Sequence, residues 1–94
     1  LNNQNYSYPL DSSWSTDEII DVTKMFQLVE DAYETGVSRQ EVLDQYQKFK
    51  RVVQSKSQEK QLGKQFEKDS GYVLYEVIKQ ARETESKKLL IRGN

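Results

Sequence analysis

Two stretches of this chain carry the same kind of helix start, Ser15-Thr16-Asp17-Glu18 and Ser38-Arg39-Gln40-Glu41. In each, the serine hydroxyl can accept from the backbone N–H of the glutamate, and the glutamate carboxylate can reach back to the serine N–H. Two of the donors that every helix beginning leaves orphaned are then satisfied. Each start also has an apolar residue before the cap and another inside the helix, Trp14 with Ile19 and Val37 with Val42, a pairing that fixes the angle at which the chain enters.

A helical period follows both starts. Ile19, Val22, Phe26, Val29 and Tyr33 recur at steps of three and four and predict one apolar stripe, with Ile20 and Leu28 lying off it. Gly36 predicts the stop, since glycine takes the left-handed conformation past a last turn without strain. Val42, Tyr46, Phe49 and Val53, flanked by Leu43 and Val52, predict a second helix, and the short link from Gly36 to Ser38 forces it against the first. A third start, Ser55-Lys56-Ser57-Gln58, predicts a helix to about Ser70 whose apolar content is thin. Only Leu62 and Phe66 are core-facing there, and Gly63 costs a helix interior about 1 kcal/mol relative to Ala. After Ser70-Gly71 a fourth helix places Leu74, Val77, Ile78 and Ala81 inward, with Tyr72, Val73 and Tyr75 widening its apolar face. The predicted fold is all-α, a compact irregular four-helix array.

Ahead of these helices, residues 1–14 lack a helical period and Pro9 disfavours helix at Tyr8, so they are read as an extended arm. Tyr6, Tyr8, Leu10 and Trp14 fall at even spacing, on one side of such an arm, which is expected to lie across the helices with Tyr8, Leu10 and Trp14 packed. At the other end, Leu89-Leu90-Ile91 has no visible cover; docking, self-association and fraying are all open to it. The 94 residues read as one domain, with an arm (1–14), a helical body (15–88) and a tail (89–94). About a quarter of them are Leu, Ile, Val or Phe and the net charge is -1, enough apolar content to bury a modest core.

Composition removes several function classes. With Cys 0 and His 0, neither a thiolate nucleophile nor the usual zinc, iron or copper ligand sets can be built. No stretch approaches the roughly 20 apolar residues of a membrane span, and the first residues lack the basic-then-apolar pattern of a signal peptide, so no membrane association and a cytoplasmic address are expected. No motif for a cofactor is present, and none is expected. Ser, Lys, Tyr, Asp and Glu occur, but no spacing ties a nucleophile to a base, so the chain does not read as an enzyme.

Charge is distributed unevenly along the chain. Residues 1–36 hold seven acids and one base, leaving 13 bases and 8 acids for the rest. Among those bases Lys56, Lys60, Lys64 and Lys68 recur every four residues and form a stripe on the third helix, away from Leu62 and Phe66, with Lys48, Lys50 and Arg51 nearby in sequence. Clustered cations of this kind suit an anionic partner, since binding phosphates releases counterions. The plainer reading is a solvated face, because Glu59 and Glu67 can pair locally and no aromatic interleaves the stripe to stack on bases. A helix-turn-helix across Ser70-Gly71 is disfavoured, because the first turn of a recognition helix would read Tyr72-Val73-Leu74-Tyr75. The acidic sets Asp17, Glu18, Asp21 and Glu30, Asp31, Glu34 have no rigid loop to hold a hard cation; the helix dipole explains the first and helix solvation the second. The leading function read from these residues is a protein-interaction or regulatory module, its partner another protein or a second copy in a weak homodimer. The alternative is a nucleic-acid or ribosome-associated binder using the lysine stripe.

Several separated segments carry a family likeness. Tyr6-Ser7-Tyr8-Pro9-Leu10-Asp11 with Trp14-Ser15-Thr16, the turn Tyr33-Glu34-Thr35-Gly36-Val37-Ser38, and Ser55-Lys56 through Glu59-Lys60-Gln61-Leu62 to Ser70-Gly71-Tyr72 together resemble the YktA-type family. These are small uncharacterised proteins of Bacillus-like bacteria, and the likeness covers residues 6–82. It implies a cytoplasmic bacterial protein folded as four helices and supplies no activity, ligand or catalytic residue. Residues 83–94 fall outside the pattern.

Overall fold

The computed structural model describes residues 6–91, so the first five positions of the arm and the last three of the tail lie outside the described residues. The elements run α1 (Thr16–Glu34), β1 (Val37–Ser38), α2 (Arg39–Val52), α3 (Lys56–Ser70), α4 (Leu74–Glu83) and β2 (Lys88–Leu89). Among the described residues the fold is therefore four helices with one two-stranded sheet, in line with the all-α prediction.

All three serine starts form. At Ser15 both halves of the box are present: its hydroxyl accepts from the Glu18 N–H at 3.2 Å and Glu18 accepts from the Ser15 N–H at 2.9 Å. Ser55 accepts from the Gln58 N–H at 3.1 Å. Ser38, which is also a residue of β1, likewise shows the forward bond, from the Glu41 N–H at 3.2 Å.

Helix α1 is buried on more than one side. Val22, Phe26 and Val29 are buried as the stripe requires, but so are Met25, Leu28 and Ala32, while Ile20 is 57% exposed. Leu28, expected off the apolar face, is a core residue, because α1 contacts α2, α4 and β1 rather than one neighbour. Gly36 ends this helix at a φ of 98°, which an L side chain adopts only with strain, and the Thr35 and Gly36 N–H groups both donate to the Asp31 carbonyl, at 2.9 and 2.7 Å.

That turn leads into a two-stranded sheet that helical periodicity does not predict. β1 pairs antiparallel with β2, Val37 opposite Leu89 and Ser38 opposite Lys88. The pair is extended by the Arg39 N–H to the Lys87 carbonyl at 2.9 Å and the Ile91 N–H to the Ala32 carbonyl at 2.8 Å. Strand periodicity then sorts the apolar run: Leu89 (4% exposed) and Ile91 (6%) enter the core and Leu90 between them is 37% exposed. Of the three fates open to Leu89-Leu90-Ile91, docking on the body is the one adopted.

In α2 the predicted Val42, Tyr46 and Phe49 are buried, as is Val53 just past its end. Gln45 joins them, its amide donating to the Asp21 carbonyl at 2.8 Å, so a buried polar group is satisfied. Arg39 reaches across to the far end of α4, where Nε donates to the Ala81 carbonyl at 2.6 Å. All four residues assigned to the inner face of α4 are buried, and its uncapped first turn is served by Tyr33, whose hydroxyl accepts from the Val73 N–H at 3.2 Å. The Tyr33 ring stacks on Tyr72 at 4.6 Å between centroids.

The arm ties α1 to α3. Phe26 and Phe66 stack at 4.6 Å, and over them lie Tyr8, 5.8 Å from Phe26, and Tyr6, 6.1 Å from Phe66. Both tyrosine hydroxyls donate to the Glu30 carboxylate, that of Tyr8 at 2.6 Å. Trp14 is half-buried against the core, but Leu10 is 44% exposed, contrary to the even-spacing argument. The arm is not one extended strand to Trp14: the Asp11 carboxylate accepts from the Ser13 N–H at 2.9 Å and its carbonyl from the Trp14 N–H at 3.1 Å, so the chain turns right after Leu10 and the even spacing does not carry across.

Candidate functional site

Helix α3 is joined to α4 at Gly71, in the left-handed conformation with φ 83°. Between these helices and α2 opens a groove of about 320 Å³ with a mostly apolar lining. Its floor is made of core residues seen from outside: Tyr46, Leu74 and Ile78, each buried, beside Gly63. Gly63 is the residue that lets the floor be reached. A Cβ there would lie 4.0 Å from Leu74 Cδ2, an ordinary contact, and any longer side chain would project into the space.

The rim is charged. Lys56, Lys60 and Lys64 edge it from α3 and Arg82 from α4, against the carboxylates of Glu59 and Glu67. Glu59 is already engaged, accepting from the Tyr46 hydroxyl at 2.7 Å. The Tyr46 ring sits near two cations, Lys50 Nζ at 4.8 Å and the Arg82 guanidinium at 5.5 Å from its centroid. Three of the four stripe lysines therefore border the groove. Lys68, also exposed, does not line it, and of the neighbours in sequence only Lys50 comes to one of its residues.

Along α3 itself no aromatic interleaves the lysines. The groove draws its aromatics from elsewhere: Tyr46 from α2 and Tyr75, 65% exposed, from α4. In the sequence Gly63 is only a helix penalty; its role as an opening depends on Leu74 lying opposite, which no local pattern reports.

The other sequence candidates resolve differently. Glu30 and Glu34 are not merely solvated: Glu30 takes the Tyr6 and Tyr8 hydroxyls, and Glu34 that of Tyr72 at 2.6 Å. Among the described residues no three Asp or Glu side chains are grouped to hold a metal ion. The tyrosine–carboxylate pairs do not resemble an activated nucleophile. Burial first, and then the bonds to Glu30 and Glu59, push the Tyr6, Tyr8 and Tyr46 hydroxyls well above the ordinary tyrosine range, the reverse of what a neutral-pH base or nucleophile needs. No described helix is long and apolar enough to cross a membrane.

A model described as an uncharacterised protein family (UPF0223) matches residues 5–90. The chain is similar to a UPF0223 protein of Oceanobacillus iheyensis, 56% identical over 79 residues, which is 84% of this chain and 90% of that one. It is also similar to UPF0223 proteins of Streptococcus gordonii, 52% identical over 83 residues (88% of this chain, 90% of the relative), and Streptococcus sanguinis, 51% over 80 residues (85% and 87%).

Proposed function

Since the chain belongs to the UPF0223 family of uncharacterised proteins, found in Oceanobacillus and Streptococcus, and so inherits no activity, we propose a function from the site alone: a non-catalytic interaction module that engages its partner in the groove between α3 and α4. The observation that carries this is a groove of about 320 Å³ that reaches the core residues Tyr46, Leu74 and Ile78, with the exposed Tyr75 ring and four cations on its border, on a chain whose other large side chains are mostly packed away. Surfaces of that kind are where a small domain gains binding energy, because apolar area and charge can be desolvated together. A cytoplasmic location and the narrower YktA-type assignment belong to the same reading; they rest on the cysteine-free, span-free composition and on the arm, turn and third-helix segments.

Nucleic-acid binding is the second reading, and one observation favours it: Tyr75 stands exposed across the groove from Lys60 and Lys64, a ring on which a base would stack. A photo-cross-linking residue placed at position 75, with another at the exposed Asp17 on α1 as control, separates the readings in cells. Protein adducts at 75 and none at 17 support the module, and nuclease-sensitive adducts favour the second reading. Equal yields at both positions count against the groove.

A further inference from the structure

We infer that the partner segment the groove accepts is an acidic peptide carrying two large apolar side chains, a specification that rests on the interaction reading above. The volume sets the number of anchors. About 150 Å³ of apolar cavity accommodates one benzene-sized group, so the roughly 320 Å³ here takes two. The floor that receives them, Tyr46, Leu74 and Ile78 with Gly63, offers its one side-chain hydroxyl already bound to Glu59, so the anchors are hydrocarbon rather than polar.

The rim sets the charge. Four cations face two carboxylates, which leaves an unbalanced positive border. Lys56, Lys60 and Lys64 follow one another every four residues, about 6 Å apart along α3 at the helical rise. Carboxylates at i and i+4 of a partner helix share that pitch, and those at i and i+2 of an extended segment come within about 1 Å of it. A nucleic acid matches the charge but not the floor, since bases need hydrogen-bonding edges or stacking faces in place of buried Leu74 and Ile78. Glu67 on the rim further disfavours a continuous polyanion over a peptide whose acids can be placed around it.

The test is selection of random displayed dodecapeptides on the whole protein, with counter-selection on Lys60→Glu/Lys64→Glu, both exposed positions whose replacement leaves packing untouched. Circular dichroism establishes that each variant is folded. Enriched peptides should carry several acids and two aliphatic or aromatic residues, and the synthetic versions should bind the charge-reversed protein about tenfold or more weakly. They should also weaken on Gly63→Leu, which fills the groove, or on Tyr75→Ala should that variant fail to fold. Neutral or basic peptides that nonetheless depend on Gly63 or Tyr75 would overturn the acidic specification while leaving the groove reading intact. Peptides indifferent to those two positions, or none enriched over the counter-selection, would remove both. Binding of mixed single-stranded oligonucleotides in place of peptides, lost in Lys60→Glu/Lys64→Glu, would overturn the inference in favour of nucleic acid.

Discussion

Replacing Gly63 by alanine should make the protein more stable, an outcome that sets this glycine apart. It sits inside α3, where glycine is about 1 kcal/mol worse than alanine because it has more backbone freedom to lose. Against that gain stands only the cost of fitting one methyl group. The added Cβ meets Leu74 Cδ2 at 4.0 Å, a normal van der Waals separation, and no other neighbour as near, so nothing has to move. The net effect should be a stabilisation of about 0.5–1 kcal/mol, which for a domain of this size raises the melting temperature by roughly 2–8 °C. Gly36 supplies the contrast. Its φ of 98° lies where a side chain is strained, and the same substitution there should cost about 1–2 kcal/mol although its nearest neighbour, the Leu89 carbonyl, is 3.7 Å from the new Cβ. Calorimetric melts of the two variants beside the parent would decide it. A lowered melting temperature for Gly63→Ala would mean that the α3–α4 approach is tighter than a 4.0 Å contact implies, and the account of an open groove would fail with it.

Four other outcomes follow from the packing and the charges. Leu89→Ala should cost about 2–4 kcal/mol in urea unfolding and Leu90→Ala within about 0.5 kcal/mol; equal losses would refute the alternation of the tail. Trp14→Ala should cost about 2 kcal/mol or more and Leu10→Ala less than about 1 kcal/mol, and the reverse order would contradict the turn at Asp11. With the Tyr6, Tyr8 and Tyr46 hydroxyls raised above 10.0 by burial and carboxylate bonds, the native state keeps protons that the unfolded chain releases, so stability is full below about pH 10 and falls as pH rises beyond it. Tyr6→Phe/Tyr8→Phe should flatten that fall, and a urea midpoint constant to about pH 11 would disprove the linkage. Should single-stranded nucleic acid bind, Lys60→Gln/Lys64→Gln ought to reduce the log–log salt slope by about 1.4; an unchanged slope would place the contact elsewhere.

What could be read from the sequence was what is local in the chain. Ser15, Ser38 and Ser55 announce α1, α2 and α3 because a cap and the N–H that donates to it lie three residues apart, and the inner face of α4 is a matter of period. Leu28 and the run Leu89 to Ile91 were opaque for the opposite reason. One is buried by neighbours on a second side of α1, and the other by a strand two residues long whose partner is the stub between α1 and α2. The lysine stripe was legible, yet what it borders was not, since Tyr46, Tyr75 and Arg82 arrive from helices before and after it. A second copy in a weak homodimer would need apolar surface, which Ile20, Leu28 and the run Leu89 to Ile91 are the residues to offer. Leu28, Leu89 and Ile91 are occupied within the monomer, leaving Ile20 as the exposed member of that set with Leu90.

The strap formed by Tyr6 and Tyr8 bears on how the molecule opens. Helix α3 fully buries a single side chain, Phe66, and part of that ring's cover is the arm, itself held by Glu30 of α1. Amides of α3 should therefore exchange with solvent through an opening smaller than global unfolding, while those of α1, buried on several sides, wait for the whole structure to come apart. Loosening the arm should speed exchange in α3 first. Since α3 is also one wall of the groove, a contact made by residues outside the groove lining would set how long the binding surface keeps its shape.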